Sequence, residues 1–158
     1  MLTQPILATE RLKLRGFQLA DAPEVQHLAG EWEIADTTAT IPHPYEDGMA
    51  EAWIETHPDR LENESALSYA ITLADNEQLI GSIGLHINKR HDQAELGYWI
   101  GKPWWKGGYC TEAARVLINH GFEVLSLYRI HAHYMARNPA SGRVMQKLGM
   151  SHEGCLRG

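Results

Sequence analysis

The chain is poor in cysteine: Cys110 and Cys155 are the only two in 158 residues. Two cysteines so placed give neither a disulfide framework nor a CxxC metal or redox pattern, and the natural compartment is a reducing cytoplasm. Long apolar runs are missing as well. The longest are a handful of residues, far short of a membrane span. The start, MLTQPILATERLKLR, lacks the basic region and apolar stretch of a secretory signal. Net positive charge is absent too, and −6 at pH 7 argues against a general nucleic-acid binder. No repeats or low-complexity tracts occur. With 44% hydrophobic and 22% charged residues, the composition is that of a globular protein, and the length suits one domain over residues 1–158.

Charge is distributed unevenly. Between Asp21 and Glu64 there are twelve acidic residues against Arg60 alone, a net of −11. Between Tyr98 and Met150 there are seven basic residues against Glu112 and Glu123, a net of +5. Solvated helix faces are often charged, but the basic half coincides with the motifs below.

The hydrophobic period changes along the chain. Leu12 and Leu14 alternate with Lys13 and Arg15 as a short strand. Asp21 is placed to cap a helix with Pro23 in its first turn and Val25, Leu28 and Ala29 on one face. TATIPHPYEDG reads as a loop, and Met49, Trp53 and Ile54 predict a second helix running to about Glu62. Alternation then takes over in three successive runs: Leu67 to Leu73, Ile83 to Ile87, and Ala94 to Ile100. The turns ADNE and NKRHD separate them, which predicts an antiparallel meander. On the third strand Glu95, Gly97 and Trp99 face opposite to Leu96 and Tyr98. A helix follows with Ala113, Ala114, Leu117, Gly121 and Leu125 as its apolar stripe. RIHAHYMA reads as a strand. Asn138 then caps a helix that has Pro139 at its first position and Gly149 as its stop, and MSHEGCL predicts a last short strand. The whole is an α/β (α+β) arrangement of a mixed sheet and covering helices.

The sharpest local feature is ELGYWIGKPWWKGGYCTEAARVL, a strand, a glycine turn and a helix start. A helix beginning near Tyr109 offers unpaired N–H groups and the positive end of its dipole. Gly107 and Gly108 let backbone approach a bulky anion, with Lys102 and Lys106 beside them. Paired glycines are also common in plain turns. GGYCT lacks the lysine of a Walker loop, and no G-x-G-x-x-G is present.

Four stretches together, ATERLKLR, AELGYWIGKPWWKGGYCTEAA, ARNPASGRVMQKLGM and HEG, resemble the GNAT superfamily and within it the RimJ/RimL-type N-acetyltransferases. The resemblance covers almost the whole chain. It implies the GNAT fold, a mixed and mostly antiparallel splayed sheet covered by helices. It also implies transfer of an acetyl group from acetyl-coenzyme A to a primary amine, with a protein or peptide N-terminus as acceptor and no metal. The alternatives are a small-molecule amine acetyltransferase and a non-catalytic acyl-coenzyme A sensor. Neither nucleic acid nor membrane enters as a partner, and the chain would be a monomer or a homodimer.

Carried over by position, the resemblance implies that Tyr98, Trp99 and Ile100 present strand backbone to pantetheine. Gly107, Gly108, Tyr109, Cys110 and Thr111 would cradle the diphosphate, and Asn138, Ser141 and Arg143 would line the cofactor's other side. There are departures. The first polar position of the phosphate motif is Trp105, the last small one is Cys110, and the usual tyrosine acid is replaced by Met145. The family sheet usually ends with one more strand, whereas this chain stops at Arg157–Gly158, so the sheet is expected to be shortened or completed another way. The acidic residues from Asp21 to Glu64 would lie on helices flanking the acceptor entrance.

Acetyl transfer needs a base for the ammonium, a donor for the oxyanion and an acid for the thiolate. Glu95 is the candidate base, unless it is an exposed or salt-bridged strand glutamate. Ser141, or a water it holds, is the candidate acid, the alternative being an ordinary or purely cofactor-binding serine. A backbone N–H near Trp99 would serve the oxyanion. Cys110 reads as a packed cysteine rather than an activated thiol, because no partner base is evident. His131 and His133 share a strand face, but no third ligand has metal-site spacing, so they read as sheet histidines. Trp104 and Trp105 either clamp the cofactor or pack under the turn.

Overall fold

Leu67, Tyr69 and Ile71 lie on one side of a strand whose opposite side carries Ala70 and Thr72, and all five are buried. Both faces of the central sheet are therefore covered. The computed structural model describes residues 2–38, 41–134 and 138–155. Its six strands are β1 (Leu7–Ala8), β2 (Leu12–Arg15), β3 (Ala66–Leu73), β4 (Leu79–Asn88), β5 (Gln93–Ile100) and β6 (Arg129–His131). They lie side by side in sequence order. Every pairing is antiparallel except β5 with β6, which is parallel. The predicted meander is β3, β4 and β5.

Helices cover the two faces unequally. The long α5 (Tyr109–Glu123) buries Ala113, Ala114 and Leu117 against Leu12, Leu67, Ile83 and Leu96. On the other face, α1 (Ala22–Ala29) and α3 (Met49–Glu55) pack Val25, Leu28, Ala50 and Ile54 over Ala70 and Leu79, with Trp99 at the edge. Trp104 touches both clusters. Two further short helices, α2 (Trp32–Thr37) and α4 (His57–Glu62), make four where the sequence pattern predicts two. The helix expected from Met49 to Glu62 divides at Thr56, whose N–H and hydroxyl both return to the Trp53 carbonyl. Pro58 follows in the first turn of α4 and has no N–H to continue the ladder.

Three other expectations change. Asp21 makes no side-chain cap on α1. Its carboxylate instead accepts two hydrogen bonds of 2.9 Å from Arg15 and one from the Gln18 N–H, which closes a 3₁₀ turn over Leu19–Asp21. Burial opposes the charge, but these donors hold the Asp21 carboxyl below its ordinary range. The strand expected over RIHAHYMA is confined, among the described residues, to Arg129–His131; Met135–Arg137 lie outside them. The expected strand MSHEGCL is absent from described residues 150–155, which are irregular.

The last helix, α6 (Pro139–Lys147), begins as expected. The Asn138 side chain accepts from the Ser141 N–H, and Pro139 is the first helical residue. It ends at Gly149, which has φ of +81°, with the Met150 N–H returning to the Met145 carbonyl. Among the described residues, no helix is long and apolar enough to cross a membrane.

Candidate functional site

The site grows from the parting of two strands. β6 pairs with β5 only at Gln93, Ala94 and Glu95. From Leu96 to Ile100 the same edge of β5 has no strand partner among the described residues. Unpaired strand backbone is a ready template for an extended ligand. Of the three positions expected there, Tyr98 and Trp99 keep this role open. The Ile100 carbonyl already accepts a 2.7 Å hydrogen bond from the Trp105 indole. Trp105 thus braces the strand end, while Trp104 packs against the two core clusters.

The glycine turn follows. Gly108 is the N-cap of α5 with φ of +78°, where a Cβ is strained, and no side chain caps the helix. The first-turn N–H groups, including those of Tyr109, Cys110 and Thr111, therefore remain aimed off the helix end. At Gly107 the limit is space: a Cβ there would come within 2.7 Å of the Tyr109 ring, which would have to shift. The Cys110 thiol is pushed up to about 12 by burial, so it is a packed group and not a nucleophile.

Arg11, just before β2, reaches this turn, although motif spacing did not single it out. Its guanidinium carbon lies 4.2 Å from the centre of the Tyr109 ring, and Nη2 is 3.5 Å from where a Gly108 Cβ would stand. Glu112 holds it there, accepting from Arg11 Nε at 2.7 Å and from the Arg11 backbone N–H at 3.0 Å. Burial works to raise the Glu112 carboxyl, yet hydrogen bonds from Thr9 and Arg11 keep it below its usual value. A fixed guanidinium beside a bare helix N-terminus suits a phosphate-bearing ligand.

On the α5 side of the sheet, the Tyr98 hydroxyl reaches α6. It lies 2.6 Å from Ser141 Oγ, where either oxygen can donate, and 3.2 Å from the Ser141 carbonyl, which can accept its proton instead. Burial pushes Tyr98 up to about 12, against the opposing effect of Ser141, so it stays protonated. Met145, at the position where a tyrosine acid was sought, is buried in the core. Arg143 is exposed on α6 and Asn138 sits at its N-cap.

Glu95 projects from the opposite face of β5, half-exposed, at the point where β5 and β6 part. Its Oε1 lies 2.7 Å from His133 Nδ1. It is therefore paired, as the plainer reading allowed. Next to it on the same face, Gly97 is exposed, and a Cβ there would meet nothing within 4 Å. That leaves an open slot between Glu95 and Trp99. A cavity of about 370 Å³, lined by Phe17, Ile54, His57 and Leu61, lies apart from all these residues.

Known proteins align with this chain over nearly its full length. Residues 11–151 match the family described as an acetyltransferase (GNAT) domain. An uncharacterised N-acetyltransferase of Bacillus subtilis, YoaA, is 31% identical over 154 residues, covering 97% of this chain and 86% of the relative. The ribosomal protein uS5 alanine N-acetyltransferase of Escherichia coli is 28% identical, covering 94% and 79%. Among solved structures, a RimL ribosomal L7/L12 α-N-protein acetyltransferase in complex with coenzyme A superposes with a TM-score of 0.87. It is 17% identical, over 96% of this chain and 87% of that one, a likeness of fold.

Proposed function

The chain belongs to the GNAT acetyltransferase family and is an acetyl-coenzyme A-dependent acyltransferase; on that premise we propose that it acetylates a cationic primary amine, the N-terminus of a protein or peptide, with Glu95 as the base. The observation that carries this reading is the Glu95 carboxylate at the parting of β5 and β6, with the open strand face at Gly97 beside it. A carboxylate so placed can take a proton from an ammonium that arrives over Gly97.

The remaining residues divide the work. The unpaired backbone of Tyr98 and Trp99 would hold the pantetheine arm. The first turn of α5, from Gly108 to Thr111, would take the diphosphate with Arg11 adding its charge. Asn138, Ser141 and Arg143 would line the other side. The thioester supplies an activated acetyl group. Glu95 would first take one proton from the ammonium; as the amine nitrogen bonds the acetyl carbon and the carbon–sulfur bond breaks, Ser141 Oγ–H would protonate the departing sulfur, and the second proton lost from nitrogen would restore the serine. With Tyr98 donating to Ser141 Oγ across 2.6 Å, the serine's own proton would be free for the sulfur. An Escherichia coli relative named for ribosomal protein uS5 and the excess of acids between Asp21 and Glu64 support a basic polypeptide acceptor.

The test compares acceptors. A general base contributes about 10²–10⁴-fold, and most where the amine arrives as an ammonium that must first lose a proton. Glu95→Gln is expected to lose that factor in kcat on an N-terminal peptide, with cofactor Kd unchanged. On a weakly basic aryl amine, already neutral at pH 7, it should lose far less. Equal losses on both acceptors would reject Glu95 as base. Faster turnover of polyamines or free amino acids than of peptides would reject the polypeptide acceptor.

A further inference from the structure

The HAH sequence acquires a third donor through the fold. Glu95 and His131 are direct partners in the parallel β5–β6 pairing, and His133, two residues on, returns to the same side. One donor atom from each of Glu95, His131 and His133 falls within 4.8 Å of the others. The two imidazoles meet edge to face with ring centres 5.6 Å apart. His133 Nδ1 is already drawn to the carboxylate at 2.7 Å. His131 Nδ1 is buried and has no hydrogen-bond partner, so the imidazole nearest the sheet has unspent bonding capacity.

We propose that Glu95, His131 and His133 form a site for one divalent transition-metal ion of the Zn²⁺ type, whose binding removes Glu95 from the reaction. The chemistry of the set points to that ion class. Two neutral imidazoles and one carboxylate are ligands that Zn²⁺ accepts in tetrahedral geometry, leaving a fourth position for water. Calcium and magnesium prefer all-oxygen surroundings, which this cluster does not offer. The ligands need only small side-chain movements, because their donor atoms already lie within 4.8 Å and the His133 and Glu95 side chains are 62% and 43% exposed. Binding replaces the contact between Glu95 and His133 with bonds to the metal and gives His131 a partner. A carboxylate engaged by a cation no longer accepts a proton from the amine. The inhibitory half rests on Glu95 being the base; the binding half does not.

Two measurements on the full chain, freed of metal with EDTA and dialysed, separate these halves. The first is titration with Co²⁺ at neutral pH, read by the visible d–d absorption of a four- or five-coordinate ion, with Zn²⁺ as competitor. One equivalent is expected to bind. His131→Phe and His133→Phe should each weaken it by at least about tenfold, since even an outer-shell partner is worth that much in such sites. Absence of the absorption, or the same affinity in both variants while they remain folded, overturns the site. The second is turnover with and without Zn²⁺, read as acetylated acceptor by mass spectrometry so that zinc on free thiol does not interfere. Wild type should lose turnover reversibly to EDTA, at the concentration where Co²⁺ competition places binding. Each variant should require at least about ten times more Zn²⁺ for the same loss relative to its own metal-free rate. Binding without inhibition would reject both the inhibition and the base role of Glu95, whereas failure of binding would leave that role to the acceptor comparison.

Discussion

The Tyr98 hydroxyl and the Ser141 hydroxyl, 43 residues apart in the chain, lie 2.6 Å from each other across the gap between β5 and α6. This contact ties the last helix to β5 beyond the point where β6 pairs with it. Met145 offers no proton, so on the proposed reading the donor to the departing sulfur is Ser141, held by Tyr98.

Tyr98→Phe is expected to lower kcat by up to about tenfold, the worth of one positioning hydrogen bond, with a smaller change in acetyl-coenzyme A Kd. Ser141→Ala should cost more, because it deletes the donor itself and not its brace. The double variant should fall no further than Ser141→Ala, since the tyrosine acts through the serine. Additive losses, measured by steady-state kinetics, would mean that the two hydroxyls act separately.

The parts of this arrangement that are local were legible in the sequence. Period-two alternation marks β3, β4 and β5, and Asn138, Pro139 and Gly149 bound α6 through capping rules that need only neighbours. The glycine turn before α5 was visible for the same reason. What escaped depends on register between distant segments. Glu95 meets His131 because a parallel strand docks at one offset, and spacing along the chain cannot reveal a ligand 36 positions away. Arg11 reaches Gly108 only because β2 and α5 are layered together, held by Glu112. Asp21 looked like a cap, yet Arg15 on the neighbouring strand end offered a charge-assisted pair that outcompeted the helix terminus.

The α5 turn should be intolerant of side chains at Gly108. Its φ of +78° makes any other residue strained by about 1–2 kcal/mol, and a branched one also stands where an anion would approach. Gly108→Val is expected to fold with a lowered Tm and to lose most acetyl-coenzyme A affinity by calorimetry. Arg11→Ala, which leaves the backbone alone, should weaken the same affinity, with the loss shrinking at high salt. Full affinity in a folded Gly108→Val variant would move the diphosphate elsewhere.

Electrostatic attraction of the acceptor should depend on salt. Of the twelve acidic residues between Asp21 and Glu64, Asp21, Glu33 and Glu64 pair with Arg15, Lys102 and Lys89 from outside the segment. These contacts reduce the acidic excess without cancelling it. The KM for a basic N-terminal peptide is expected to rise several-fold between low and high ionic strength, while the KM for a neutral aryl amine stays level. A flat response for the basic peptide would remove the field from the account of acceptor choice.

His57 ties stability to pH. Its ring stands edge-on to Trp53, with centres 4.4 Å apart, and both ring nitrogens are buried without a hydrogen-bond partner. Burial, and then Arg60, pushes its pKa down from 6.5 to about 4. The folded pKa thus lies below the unfolded one, so the unfolded chain takes up this proton first as pH falls. The contribution is fully present above pH 6.5, is lost progressively down to about pH 4, and changes no further below that. His57→Phe keeps an aromatic ring against Phe17 and Trp53 but removes the titration. Urea midpoints measured at pH 7 and pH 5 should fall further in wild type than in His57→Phe. Equal falls would show that the histidine is solvated in solution and that acid sensitivity arises from other groups.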